Sequence, residues 1–78
     1  MYGILKRLEK VENMRDDVVK GEFWSFPQLG KGFCFFVFAN GNMRLIETAH
    51  VTKICCKNPD EVEFEAKDGC FKLLQVAN

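Results

Sequence analysis

The sequence predicts an all-β domain built around one hairpin. Asn40-Gly41 stands between two runs rich in β-forming residues, at 33–39 and 43–48. An Asn-Gly dipeptide in this setting is the strongest short-range hairpin signal, because a type I′ turn needs positive φ at both central residues. Further strand-like runs with turn signals between them follow along the chain, which favours a meander of short strands.

A two-residue turn at Asn40-Gly41 fixes which residues face one another across the hairpin. The expected cross-strand pairs are Ala39–Asn42, Phe38–Met43, Val37–Arg44, Phe36–Leu45, Phe35–Ile46, Cys34–Glu47 and Phe33–Thr48. One face then carries Phe38, Met43, Phe36, Leu45 and Cys34, and the other carries Val37, Phe35, Ile46 and Phe33, with Arg44 and Thr48 among them. Both faces are apolar, whereas a strand exposed on one side alternates apolar and polar residues.

A hairpin that is apolar on both faces needs cover on both. In a domain of 78 residues one face can line the core. The other must be covered by a terminal segment or by another chain. We expect the second face to be the one with Phe33, Phe35 and Val37, and we expect an identical copy of the chain to cover it. The protein would then be a homo-oligomer.

The N-terminal segment 1–14 fits two patterns. Ile4, Leu5, Leu8 and Val11 have helical spacing, but as a strand the segment places Tyr2, Ile4 and Leu8 on one face. We expect a strand, because a barrel of this size needs a further strand to close.

Turn signals define the remaining strands. Pro27 should end the run before it, and Asn58-Pro59-Asp60-Glu61 reads as a turn. Asp68-Gly69 predicts a second I′-type turn, which pairs Ala66 with Phe71, Phe64 with Leu73 and Glu65 with Lys72. The expected strands lie near 2–11, 18–25, 33–39, 43–48, 51–57, 62–66 and 70–76. They form one domain over 1–78, a small, strongly bent antiparallel sheet or SH3-like barrel of five to seven short strands.

Composition and charge indicate which kinds of partner the protein is suited to bind. Eleven basic and eleven acidic side chains cancel, and a polyanion-binding protein normally carries a basic excess. Nucleic acid is therefore the less favoured partner. No run approaches the ~20 apolar residues of a membrane span, and the N-terminus lacks a signal-peptide pattern. We expect a cytoplasmic protein that does not bind membranes.

The four cysteines, Cys34, Cys55, Cys56 and Cys70, do not form a metal-binding pattern. The sequence has no Cys-x-x-Cys and a single His, so a zinc site would need scattered ligands. We expect reduced thiols that act as small apolar side chains, and no metal or cofactor. Cys55 and Cys56 are adjacent in a predicted strand, so they should point to opposite faces.

Short motifs spread over most of the chain, from about Val18 to Leu74, resemble a known group of proteins. They are Val19-x-Gly-Glu-Phe, Pro27-x-Leu-Gly-Lys-x-Phe, Arg44-x-Ile-Glu-Thr-x-x-Val and a closing Glu-Phe-x-x-x-x-Gly-x-Phe-x-Leu. This pattern resembles short β-barrel proteins carried by bacteriophages and mobile elements. The chain departs from the pattern where Ala49-His50 replaces Ser-Pro, and where Gly-Cys-Phe replaces a polar residue and Tyr. The resemblance implies a small oligomeric barrel with no reaction attached, in the cytoplasm of a host cell.

Five residues are candidates for ligand contacts: Arg44, Lys31, Trp24, Lys53 and His50. Arg44 lies on an apolar face, where it could clamp a phosphate or stack on a base, or could cover apolar area with its stem. Lys31 belongs to a glycine-containing loop that could offer backbone N–H groups to a phosphate, but the P-loop spacing is missing. Trp24 is either a core residue or a stacking platform.

These candidates predict a non-enzymatic binding module. We expect it to sequester a small phosphate-bearing nucleotide or to inhibit a host protein, as an anti-defence factor of a phage would. A single-stranded nucleic-acid-binding barrel is the alternative. A thiol enzyme built on Cys55 or Cys56 and His50 is a third hypothesis, and it needs the thiol within hydrogen-bond reach of the imidazole.

Overall fold

The structure is a computed structural model that describes residues 1–8 and 18–76. The described residues form six β-strands, and the fold is all-β as the sequence predicts. The strands are β1 (Tyr2–Arg7), β2 (Val18–Glu22), β3 (Gly32–Ala39), β4 (Asn42–Asn58), β5 (Glu61–Ala66) and β6 (Gly69–Val76). The expected continuation of β1 to residue 11 lies partly outside the described residues.

The strands close into a small antiparallel barrel in which each strand lies beside its neighbours in the sequence. The order is β1-β2-β3-β4-β5-β6, and β6 pairs with β1 to close the sheet. The expected meander is therefore confirmed. The join between β2 and β3 is the narrowest, with one residue pair, Glu22 opposite Phe36.

The β3–β4 hairpin has the predicted turn and register. Asn40 and Gly41 both have positive φ, at 52° and 77°, as a type I′ turn requires. Six of the seven expected pairs form, from Ala39–Asn42 to Cys34–Glu47. The seventh, Phe33–Thr48, is wrong, because the register shifts between Gly32 and Cys34.

The core lies against the face of the hairpin that we expected an identical copy to cover. Phe33 and Phe35 are buried inside the barrel with Leu5, Phe23, Val51, Val62, Phe64, Phe71 and Leu73, and Val37 packs against this cluster. That expectation is wrong, because closure of the sheet by β5, β6 and β1 covers this face from within the same chain. The opposite face of the hairpin points outward.

Strand β4 is one strand of 17 residues where the sequence predicts two. The expected break between the predicted strands 43–48 and 51–57 is a β-bulge, since Gly32 pairs with His50 while Cys34 pairs with Glu47. Inside the bulge, Thr48 Oγ1 accepts a hydrogen bond from Phe33 N at 3.0 Å and donates one to Ala49 O at 2.8 Å. A second register shift follows between Val51 and Lys53. The bulges bend β4 so that its two halves pair with β3 and β5.

The β5–β6 hairpin turns one residue earlier than predicted, which shifts the pairing partners by two residues. Ala66 pairs with Gly69 and Phe64 with Phe71, so the turn residues are Lys67 and Asp68. Gly69 takes the positive φ, at 148°. Because the pairing shifts by an even number of residues, the same side chains of β5 and β6 still share a face, and Val62 and Phe64 face inward. The expected Glu65–Lys72 ion pair is replaced by Glu61–Lys72 at 2.7 Å.

The segment between β2 and β3 runs across the end of the barrel and positions the candidate site. Phe23 is fully buried, and its N–H donates to Met1 O at 2.9 Å. Further along, Leu29 forms a parallel bridge to Val51, and Gly30 N donates to Val51 O at 2.9 Å. Close packing at Gly21, near the end of β2, holds the start of this segment against β3, since a Cβ there would clash with Phe36 O.

Candidate functional site

Trp24 is held in solvent on the outside of the barrel. It follows the buried Phe23 at a bend of the chain just after β2, and its side chain points outward. The indole is 79% exposed and stacks on Phe36, with ring centroids 5.0 Å apart and an interplanar angle of 30°. Trp24 is therefore not a core residue. A large aromatic ring left in water forgoes about 1.5–3 kcal/mol of burial free energy.

A cleft opens between the Trp24 segment and the start of β3. Its volume is about 240 Å³, and its lining combines aromatic rings with polar side chains: Trp24, Ser25, Phe26, Gln28, Lys31, Gly32, Phe33, Cys34 and Phe36. We call it the Trp24 cleft. Lys31 supplies its cation, and Ser25 and Gln28 supply neutral hydrogen-bonding groups. One wall can stack on a planar group while the cation attracts an anion beside it.

Cys34 borders this cleft as a protonated thiol. Its Sγ donates a hydrogen bond to Glu47 Oε2 at 3.4 Å. Desolvation, the hydrogen bond to Glu47 and the charge of that carboxylate all raise the pKa of Cys34. A thiol nucleophile needs the opposite shift, since the thiolate is the reactive form. The cleft therefore offers Cys34 as a lining group and not as an activated nucleophile.

The structure brings together some of the predicted contact residues and separates others. Trp24 and Lys31 line the same cleft. His50 is exposed and lies opposite Gly32, another lining residue, across the β3–β4 ladder. Lys53 lies beyond the bulges and borders a different cleft with Leu8, Cys55 and Glu63. Arg44 is exposed beside the hairpin turn, opposite Val37, so it lies away from the Trp24 cleft.

The outer side of the β3–β4 hairpin is an exposed apolar surface beside the cleft. It is formed by Phe36, Phe38, Met43 and Leu45, which we call the hairpin face. Phe38 is 58% exposed, Met43 61% and Leu45 51%. The sequence predicts this set of residues as one apolar face, but the prediction that the other face, with Phe33, Phe35 and Val37, points outward is wrong.

The described residues give less support to a thiol enzyme or to a metal site. His50 forms no hydrogen bond to Cys55 or Cys56 there, and those two cysteines line different clefts, which agrees with the prediction that they point to opposite faces. All four cysteines lie in the described part of the chain, and no disulfide joins any of them. Within the same part, no group of three or more His, Cys, Asp or Glu side chains could hold a metal ion. Residues 1–8 and 18–76 hold no helix with the length and hydropathy needed to cross a bilayer.

Comparisons with known proteins do not assign this chain to a family, because it matches no protein-family model and shows no significant similarity to a curated protein or to a solved structure. A function must therefore be argued from the barrel, the Trp24 cleft and the hairpin face.

Proposed function

We propose that this barrel is a non-enzymatic binding module that holds a small nucleotide-type ligand in the Trp24 cleft. The observation that carries the proposal is the exposed indole of Trp24, stacked on Phe36 at the mouth of a cleft that also contains Lys31. Stacking on an aromatic side chain contributes about 1–3 kcal/mol per base and does not depend strongly on which base is bound. The ammonium group of Lys31 attracts a phosphate as a point charge.

The size of the cleft limits the ligand. Its volume of about 240 Å³ is below the roughly 300–1,000 Å³ of pockets that enclose a drug-sized molecule. One planar base fits, with the sugar and phosphate directed towards Lys31 and solvent. A module of this kind binds and retains a nucleotide without changing it. The motifs that resemble phage barrels support sequestration of a nucleotide made by a host cell.

The single tryptophan allows a direct test. Because the chain has one Trp, its fluorescence reports on this cleft alone. We expect nucleoside monophosphates to quench Trp24 emission in a saturable way, and to do so at lower concentration than the matching nucleosides or inorganic phosphate. Lys31→Ala should weaken nucleotide binding about tenfold, the loss of one charge-assisted hydrogen bond, and should leave nucleoside binding unchanged.

Lys53→Ala is the matched control. Lys53 is also an exposed lysine and a sequence-predicted contact, but it borders another cleft, so its removal should not alter nucleotide binding. Equal effects of Lys31→Ala and Lys53→Ala, or no quenching by any mononucleotide, would refute the proposal. Tighter binding of oligonucleotides than of mononucleotides, with strong salt dependence, would instead identify a single-stranded nucleic-acid-binding barrel.

A further inference from the structure

We infer that the hairpin face is the interface of a two-fold symmetric dimer of this chain. Phe38, Met43 and Leu45 each leave half or more of the side chain in solvent, and Phe36 lies between them and Trp24. Together they form an apolar patch across β3 and β4, and patches of this kind on the surface of a monomer are often functional.

The residue pairs place this surface across three neighbouring strands. Phe36 lies between Glu22 on β2 and Leu45 on β4. Phe38 pairs with Met43 on the side of the hairpin turn, and Cys34 pairs with Glu47 on the other side. Because β2 runs antiparallel to β3, Lys20 lies two residues from Glu22 towards the turn. Lys20 and Glu47 thus occupy opposite corners of the face, with Phe36 at its centre.

This arrangement is complementary to itself, which favours a second copy over an unrelated partner. A two-fold axis that lies in the face and passes through Phe36 places Lys20 of each copy over Glu47 of the other. The same operation places Phe38 over Leu45. Two opposite charges at the corners and apolar side chains at the centre match the polar rim and apolar core of protein interfaces. Each partner in a standard interface buries about 800 Å². The polar residues at the rim would contribute to this area together with the apolar centre.

The dimer also borders the Trp24 cleft. Cys34 and Phe36 line the cleft, and they belong to the same strand as Phe38. A second copy on the hairpin face therefore lies beside the mouth of the cleft in each protomer. The dimer can be tested independently of nucleotide binding, because light scattering measures the mass of the protein in the absence of any nucleotide.

Light scattering coupled to size exclusion tests the interface. The wild-type chain should have a mass of about twice 9.0 kDa and should dissociate on dilution. Leu45→Glu should shift it to the mass of one chain with an unchanged circular dichroism spectrum. Leu74→Glu is the matched control: Leu74 is also an exposed leucine, but it lies on β6, so that variant should remain dimeric.

Charge exchange tests the symmetry. Lys20→Glu alone and Glu47→Lys alone should each raise the dissociation constant of the dimer severalfold, because each brings like charges together. The double variant should recover most of the affinity. A wild-type monomer at all concentrations would overturn the inference and leave the hairpin face available for a host protein. A dimer that survives Leu45→Glu, or a double variant no better than the single ones, would overturn it as well.

Discussion

At the scale of single residues, the Cys34 thiol illustrates how a neighbouring carboxylate controls reactivity. Burial raises the pKa of Cys34, and Glu47, which accepts the hydrogen bond from Sγ, raises it further. The protonated thiol is therefore favoured in the folded chain more than in the unfolded chain. Its contribution to stability is fully present below the unfolded pKa of about 8.5 and is lost as the pH rises through the folded pKa.

We predict that Cys34 reacts slowly with iodoacetamide at mildly alkaline pH, and that Glu47→Gln accelerates the reaction. The substitution removes the negative charge and should lower the pKa of Cys34 towards its ordinary value, which increases the thiolate fraction. Tryptic peptide mass spectrometry gives the rate for Cys34, since Arg44 and Lys53 separate it from Cys55 and Cys56. The peptide that carries both Cys55 and Cys56, which are exposed, serves as the internal reference, and an unchanged Cys34 rate in the variant would contradict this account.

At the scale of elements, the bulge in β4 depends on one buried hydroxyl. Thr48 is 5% exposed, and its Oγ1 satisfies the N–H of Phe33 where the ladder is interrupted. A backbone donor left buried without a partner costs about 1–3 kcal/mol. The hydrogen bond to Thr48 therefore lowers the free-energy cost of the bulge that bends β4 from β3 towards β5.

We predict that Thr48→Val lowers the free energy of unfolding by about 1–3 kcal/mol, because it keeps the shape and removes the acceptor. Thr48→Ser keeps the hydroxyl and should cost less. Thr52→Val provides a control on the same strand, since Thr52 is exposed and its Oγ1 donates to Glu65 O. Urea unfolding followed by circular dichroism gives all three values, and similar losses for Thr48→Val and Thr52→Val would speak against the role of the bulge.

The elements also show which local signals determine the fold. Asn40-Gly41 specifies its turn fully, because both residues accept positive φ, and so the β3–β4 register could be predicted. Asp68-Gly69 resembles the same signal, but the turn forms at Lys67-Asp68. The resulting register aligns Phe64 with Phe71, whose rings stack at 5.3 Å, so packing between side chains prevails over the local turn preference.

At the scale of the whole molecule, side chains inside the barrel stabilise the fold, and side chains on its outside form the candidate site. Leu73 and Leu74 are neighbours on β6, yet Leu73 is fully buried and Leu74 is exposed. A core in a chain of about this length rarely contributes a net stability above about 3–5 kcal/mol. One large cavity is therefore enough to unfold the domain.

We predict that Leu73→Ala costs about 2–5 kcal/mol and leaves much of the protein unfolded at room temperature. Leu74→Ala should cost less than about 1 kcal/mol and retain a cooperative thermal transition. Differential scanning calorimetry distinguishes the two variants. Equal losses would mean that the alternation of inward and outward residues along β6 differs from that of the barrel.

The candidate site could be predicted only in part. The sequence singles out Trp24 and Lys31 but cannot place them in one cleft, because their proximity depends on how the segment between β2 and β3 crosses the barrel. It groups Arg44 and Lys53 with them, and these lie elsewhere. The outward direction of the hairpin face follows from closure of all six described strands, which is not encoded in any one segment.

The long β4 strand has a consequence for how such a barrel can vary in length. At its first bulge the chain passes from Ile46 and Thr48 to Val51 as the side chains directed towards the barrel interior. Loss or gain of a single amino acid there would turn every inward side chain downstream on that strand outward, and every outward one inward. The tips of loops have no such alternation, so a change of length there has no comparable effect. Length variants of this protein should therefore be accepted at its turns and rejected along β4, irrespective of how conservative the composition of the change is.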